Sequence, residues 1–150
     1  MGGSLLEVVE GALDTARFYT QWERECVAHN CGAFCVFTGV VRAQESEFEG
    51  LSFDVHMPLL QAWFQDWQTK AQARGVVLKM AHSRGDVLVS QSSYMVGLMS
   101  EHRQAPLELY GAFIEDFKHN APIWKYYLQN KQRVYAKDQS HPLKGSGLLA

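Results

Sequence analysis

The chain has 150 residues, 47% hydrophobic and 20% charged, with a formal charge of −2 and a pI of about 6.3. That length fits a single domain, 1–150, able to bury a core, with the composition of an ordinary globular protein. The slight negative charge does not point to the broad basic face that binding along a nucleic acid needs, and no run of about 18 apolar residues is present to span a membrane.

Met1-Gly2-Gly3-Ser4-Leu5-Leu6-Glu7 lacks the basic segment and apolar stretch of a secretory signal, so the cytoplasm is the expected compartment. Leu5 to Glu10 reads as a first strand. Asp14 is placed to cap a helix from Thr15 to about Ala28, and Asn30-Cys31-Gly32 is the turn after it. Cys26, Cys31 and Cys35 are odd in number and crowded together, unlike a disulfide framework. Cys31 and Cys35 could be a metal pair, but a metal site would need two further ligands, and the chain has no CxxC and no HxxxH. Cys35, inside the apolar run Ala33-Phe34-Cys35-Val36-Phe37, reads as a small buried thiol.

Ala33 to Arg42, dense in Phe and Val, gives the strongest strand signal. Ala43 to Gly50 is polar and acidic and is expected as a loop. Leu51 to His56 alternates Leu51, Phe53 and Val55 with Ser52, Asp54 and His56, the pattern of a half-buried strand. Pro58 suits the first turn of a helix. Leu59, Leu60, Trp63, Phe64 and Trp67 give that helix an apolar face, and Gly75 ends it. Val76 to Ala81 is a further strand, Ser83-Arg84-Gly85-Asp86 a turn, and Ser92 to Ser100 another strand. A helix is expected over Gln104 to Lys118, broken by Asn120-Ala121-Pro122. Ile123 to Leu128 and Arg133 to Ala136 predict a hairpin around Gln129-Asn130-Lys131-Gln132. The tail from Asp138 to Ala150 reads as extended and flexible. The order β α β β α β β α β β implies an α+β class, since a doubly wound parallel sheet would alternate more strictly. There is neither a GxGxxG nor a Walker loop.

Cationic residues gather around two turns in the last third of the chain, as a small anionic ligand would require. Lys118 falls near the C-terminal end of the third helix. There it either complements the helix dipole or, with Lys125, serves chemistry. Trp124 beside Lys125 would limit water and lower the amine pKa, so that the amine can act as acid, base or nucleophile. His102 and Arg103 occupy a strand-to-helix junction, where free N–H groups and a guanidinium suit phosphate or carboxylate; the alternative is an exposed loop pair. Arg42, at the end of the Phe-rich strand, has the same two readings. His56, His82 and His119 read as lone histidines, packed and satisfied by backbone. Asp54 and Asp86 are isolated acids, and there is no GxSxG elbow.

The segments Gly32-Ala33-Phe34-Cys35-Val36-Phe37-Thr38-Gly39-Val40-Val41-Arg42, His82-Ser83-Arg84-Gly85-Asp86, Ser100-Glu101-His102-Arg103 and Phe117-Lys118-His119-Asn120-Ala121-Pro122-Ile123-Trp124-Lys125 resemble the large, catalytic subunits of molybdopterin synthase, over roughly two-thirds of the chain. The resemblance implies an α/β hammerhead-type domain with a mixed, largely antiparallel sheet and about three helices, dimeric through its sheets. It implies a partner as well: a small ubiquitin-like sulfur-carrier subunit whose C-terminal Gly-Gly thiocarboxylate enters the large subunit. Two carriers on a homodimer make a heterotetramer.

Sulfur would then pass twice to cyclic pyranopterin monophosphate, forming the dithiolene of molybdopterin. By motif position Lys118 and Lys125 are the implied catalytic lysines. Arg42, His102 and Arg103 are the implied anion-binding set, with His102 and Arg103 reaching the neighbouring subunit's site. Sulfur arrives on the carrier and molybdenum enters later, so no catalytic cysteine, metal or cofactor is expected. The alternative is a non-catalytic dimeric scaffold for such a carrier, against which the retention of both lysines speaks. Departures from the family pattern fall at His82-Ser83-Arg84-Gly85-Asp86, where His-Arg commonly precedes Gly-Glu. Others are Val87-Leu88-Val89-Ser90-Gln91, where Pro-Gly-Asp is usual, and Asp54-Val55-His56, where Glu-x-Tyr is usual.

Overall fold

The computed structural model describes residues 5–45 and 47–136; the tail expected from Asp138 onward lies outside them. The elements follow the expected order. They are β1 (Leu6–Glu10), α1 (Thr15–Ala28), β2 (Ala33–Val40), β3 (Phe48–Val55), α2 (Met57–Gln72), β4 (Val77–Leu88), β5 (Ser92–Ser100), α3 (Gln104–Asn120), β6 (Ile123–Gln129) and β7 (Gln132–Tyr135).

Local chemistry sets the boundaries. The Arg17 N–H donates to Asp14 Oδ1 at 3.1 Å, capping α1. His56 is not a strand residue: it caps α2, its Nδ1 accepting from the Leu59 N–H at 3.3 Å. Gly75 takes φ +70° beyond the end of α2, a conformation that spares only glycine the Cβ clash. The β6–β7 hairpin turns on Asn130 and Lys131, at φ 51° and 61°, values that match the right-handed twist of the flanking strands.

Two further sequence expectations change. Ser83-Arg84-Gly85-Asp86 is not a turn but the middle of β4. Ser83 and Arg84 pair with Val9 and Glu10 of β1, and Gly85, at φ +83°, pairs with Phe53 of β3. The turn-like residues bend the strand rather than reverse it. The expected loop over Ala43–Gly50 also ends early, because β3 starts at Phe48, whose ring meets Tyr127 edge-on at 5.8 Å.

The strands form one mixed sheet in the order β2-β5-β4-β3-β6-β7, with β1 parallel to β4 and every other pair antiparallel. β4 joins the two halves: Val77–His82 pairs with β5, and Gly85–Leu88 pairs with β3. Period-two alternation sends side chains of the first half to opposite faces. Leu78, Met80, Tyr94, Val96 and Leu98 meet Leu60, Phe64 and Trp67 of α2 and Phe113 of α3. Ala81, Met95 and Met99 meet Phe18, Trp22 and Cys26 of α1. The second half has a smaller core of Val41, Phe53 and Val87. Among the described residues, no helix is long and apolar enough to cross a membrane.

Candidate functional site

Lys118 lies in the last turn of α3 and Lys125 on β6, either side of a turn that buries Pro122. The turn is fixed by its backbone: the Ala121 N–H donates to Phe117 O at 3.2 Å and the Ile123 N–H to Ala121 O at 2.8 Å. This brings the two ammonium groups within reach of each other. Lys125 titrates below an ordinary lysine, chiefly because it is buried and further because of the like charge of Lys118. Trp124 is not the source of that burial. It neighbours Lys125 on a strand, so the two side chains point to opposite faces. Lys125 instead shares its face with Phe53, its register partner on β3.

Near Lys125 is an aromatic box built around His82. Phe117, next to Lys118, stacks on Tyr94 with ring centroids 3.9 Å apart and planes 10° from parallel. His82 of β4 lies 5.7 Å from both rings and meets Phe53 edge-on at 4.9 Å. His82 is only 2% exposed. Burial pushes it down to about 4; a 2.7 Å contact from Nδ1 to Ser83 O opposes that shift, and the charge of Lys125 adds to it. A contact to a carbonyl requires the proton on Nδ1, leaving Nε2 as an acceptor. The reading of a packed histidine with a backbone partner therefore holds for His82. It does not hold for His119, which is exposed and 3.6 Å from Glu115.

Arg42 follows the end of β2 and lines an open cavity of about 550 Å³ with Gln44, Glu45, Phe48, Tyr127 and Gln129. Tyr127 is two residues along β6 from Lys125, so both side chains leave the same face, with Cα atoms about 7 Å apart. The cavity thus adjoins Lys125. Its aromatic and carboxamide walls were not singled out from sequence. The signal lay in the alternation Lys125, Tyr127, Gln129, legible only once the strand is placed.

His102 and Arg103 lie elsewhere in the chain. They precede α3, whereas Lys118 is in its last turn, a distance of about 22 Å along the helix. They line a second open cavity of about 760 Å³ with Gly32, Ala33, Glu101, Gln104, Leu107 and Glu108. No side chain caps the N-terminus of α3, so its first N–H groups face this space without a side-chain acceptor. Within one chain, then, Arg42 and Lys125 share a neighbourhood, and His102–Arg103 does not join Lys118.

The thiols of Cys26 and Cys35 are pushed up, chiefly by burial. That is the opposite of the activation a nucleophilic cysteine needs. Among the described residues, no group of three or more His, Cys, Asp or Glu side chains is placed to hold a metal ion.

The family profile described as MoaE protein matches residues 8–120. A curated relative from Helicobacter pylori, the molybdopterin synthase catalytic subunit, is 57% identical over 146 residues, spanning 97% of this chain and 100% of the relative. A solved structure of subunits 1 and 2 of molybdopterin-converting factor from the same species contains a chain that superposes with a TM-score of 0.91. Its identity is 56%, over 98% of this chain and 100% of the other. Molybdopterin synthase from Staphylococcus aureus, at 20% identity and a TM-score of 0.75 over 89% of this chain and 97% of that one, shares the fold. With most of its length matched by one profile and a close relative spanned end to end, this chain belongs to the MoaE protein family.

Proposed function

We propose that this chain is the catalytic subunit of a molybdopterin synthase. It transfers sulfur from the C-terminal thiocarboxylate of a small ubiquitin-like carrier to cyclic pyranopterin monophosphate. The observation that carries this reading is the pairing of Lys118 with a half-buried Lys125 of lowered pKa, in a family member 57% identical to a catalytic subunit. Adding sulfur and opening the cyclic phosphate both require protons to move at near-neutral pH. An amine titrating below the usual lysine range can give and take them. The positive charge of Lys118 can stabilise the oxyanion formed when the thiocarboxylate carbonyl is attacked.

Arg42, in the adjoining cavity, supplies a planar fork for the substrate phosphate. His102 and Arg103, remote from the lysines of their own chain, serve the site of a second copy, which makes a homodimer the working unit. A small subunit on each protomer completes a heterotetramer, in keeping with the two-subunit complex solved for the Helicobacter relative. Free thiols at Cys26, Cys31 and Cys35 suit a reducing compartment, the cytoplasm.

The test is product formation. Purified chain, thiocarboxylated carrier and cyclic pyranopterin monophosphate are mixed, and the dithiolene is assayed as its fluorescent oxidised derivative. Lys118→Ala and Lys125→Ala should each lose about 10²- to 10⁴-fold in rate. A wild-type chain that binds the carrier firmly yet yields no product would reduce the protein to a scaffold.

A further inference from the structure

The end of α1 brings two cysteines into contact. The Cys31 N–H donates to Cys26 O at 2.9 Å and the Asn30 N–H to Val27 O at 3.0 Å, with Asn30 at φ 55°. This pair of bonds is a Schellman closure, which sets the side chains at the two ends of the longer bond against each other. The Cys26 thiol accordingly donates to Cys31 O at 3.8 Å, and the two thiols lie within hydrogen-bonding range. Cys26 is buried and Cys31 is partly exposed. The third thiol is kept apart, because Cys35 packs on the α2–α3 side of the sheet and Cys26 and Cys31 on the α1 side.

The same turn leads directly into the cavity of His102 and Arg103. The Gly32 N–H donates to Ser100 O at 3.0 Å. A Cβ on Gly32 would stand 2.6 Å from Glu101 O, so the backbone beside Cys31 presses on the residue before His102. Gly32, Glu101, His102 and Arg103 all line that cavity.

We propose that Cys26 and Cys31 are a redox-modification site, a dithiol that low-molecular-weight disulfides close to an intramolecular disulfide, drawing residue 31 toward α1 and displacing the His102–Arg103 junction. Its consequence for catalysis rests on the assignment of that junction to the substrate site. The exchange has two steps. The Cys31 thiolate attacks one sulfur of the small disulfide, and the first small thiol leaves. The Cys26 sulfur then attacks the Cys31 sulfur, and the second small thiol leaves. Two protein thiols are oxidised, the small disulfide takes both electrons, and the two protons end on the released thiols. Exposure makes Cys31 the entry point. Burial and the adjacent Cys31 push the Cys26 thiol up, which confines it to the second, intramolecular step. In a reducing compartment such a bond is transient, as sensing disulfides are.

The experiment incubates the full-length chain with glutathione disulfide, removes the reagent by gel filtration and adds thiocarboxylated carrier, for wild type, Cys31→Ser and Cys35→Ser. Mass spectra of wild type and Cys35→Ser should show the loss of two hydrogen atoms across the peptides that carry Cys26 and Cys31, and those of Cys31→Ser should not. Oxidation should lower product formation about 10²-fold in the first two, by misplacing a substrate-binding group. Dithiothreitol should restore it, and Cys31→Ser should keep its rate throughout. A wild-type chain that stays reduced, or takes up glutathione without closing the pair, overturns the proposal. So does a closed disulfide that leaves the rate unchanged. A reduced chain that makes no product removes the catalytic reading instead. The mass spectra and the His102 ring resonances, which should move on oxidation, then decide this inference by themselves.

Discussion

The Trp67 indole donates to Asp116 Oδ2 at 2.7 Å, tying α2 to the last turn of α3. Trp63, one turn away on α2, donates to the same oxygen at 2.9 Å, and Asn120 Nδ2 donates to Oδ1 at 2.6 Å. Three donors thus hold one carboxylate two residues from Lys118. Burial alone would raise its pKa, and the hydrogen bonds from Trp67, Asn120 and Trp63 outweigh that, with the charge of Lys70 helping, so the carboxyl sits below the usual aspartate value of 3.8.

Asp116→Ala should therefore destabilise the fold by about 2–4 kcal/mol, since it strips two indole donors of a charged acceptor. The sign with pH follows from the lowered pKa. The stabilisation is fully present above the unfolded value of 3.8 and is lost as pH falls through the folded value. Urea melts of wild type and variant at pH 7 and at pH 3 measure this; the gap between them should narrow at the lower pH.

Lys125 predicts a trade of stability against activity. Its folded pKa lies below the unfolded value of 10.5, so between the two the unfolded chain binds more protons and wild-type stability rises with pH. Below that window the buried charge weighs on the fold. Lys125→Met should gain about 0.5–2 kcal/mol at pH 7 and lose product formation. Thermal melts paired with the dithiolene assay read both; a destabilised Lys125→Met chain would contradict the linkage.

The distance between His102–Arg103 and Lys118 makes a prediction about mixed dimers. Lys118→Ala and Arg103→Ala should each be inactive alone. After unfolding and refolding together, the mixture should regain about a quarter of wild-type activity. Half the dimers are then mixed, and each mixed dimer has one site with both groups intact. If both residues served the site of their own chain, mixing would restore nothing.

Lys79 and Glu25 form a 2.5 Å ion pair in which the lysine is 1% exposed, between β4 and α1. Glu25→Ala should cost about 3–5 kcal/mol by removing the carboxylate from a buried ammonium, whereas Lys79→Met combined with Glu25→Leu should cost much less. Chemical denaturation of the single and double variants separates the two, and equal losses would mean that packing, not charge, decides this site.

How much of this could be read beforehand depends on the range of the forces involved. The capped start of α1 at Asp14, the end of α2 at Gly75 and the β6–β7 hairpin were legible because each is set within a few residues. The central bend of β4 was not. Ser83-Arg84-Gly85-Asp86 has turn composition, and only pairing with β1 and β3, remote in sequence, makes it a strand. Lys118 and Lys125 were visible as a pair, but the desolvation of Lys125 was credited to Trp124. The correct neighbour, Phe53, lies some seventy residues earlier and is supplied by strand register. His82 was legible as a packed histidine, yet its place near Lys125 was not, because α3 and β3 bring that neighbourhood to it.

The sharing of β4 bears on how the protein comes apart. The strand is backbone to the α-covered half and to the half carrying Lys125, so neither half can open without stripping hydrogen bonds from the other. Amides of β4 on either side of Gly85 should exchange with solvent together, at the slowest rate in the molecule, as one cooperative unit. A lesion far from the lysines, such as loss of the Phe18–Trp22 packing on α1, would then empty the folded population as a whole and leave no separately surviving lysine-bearing half.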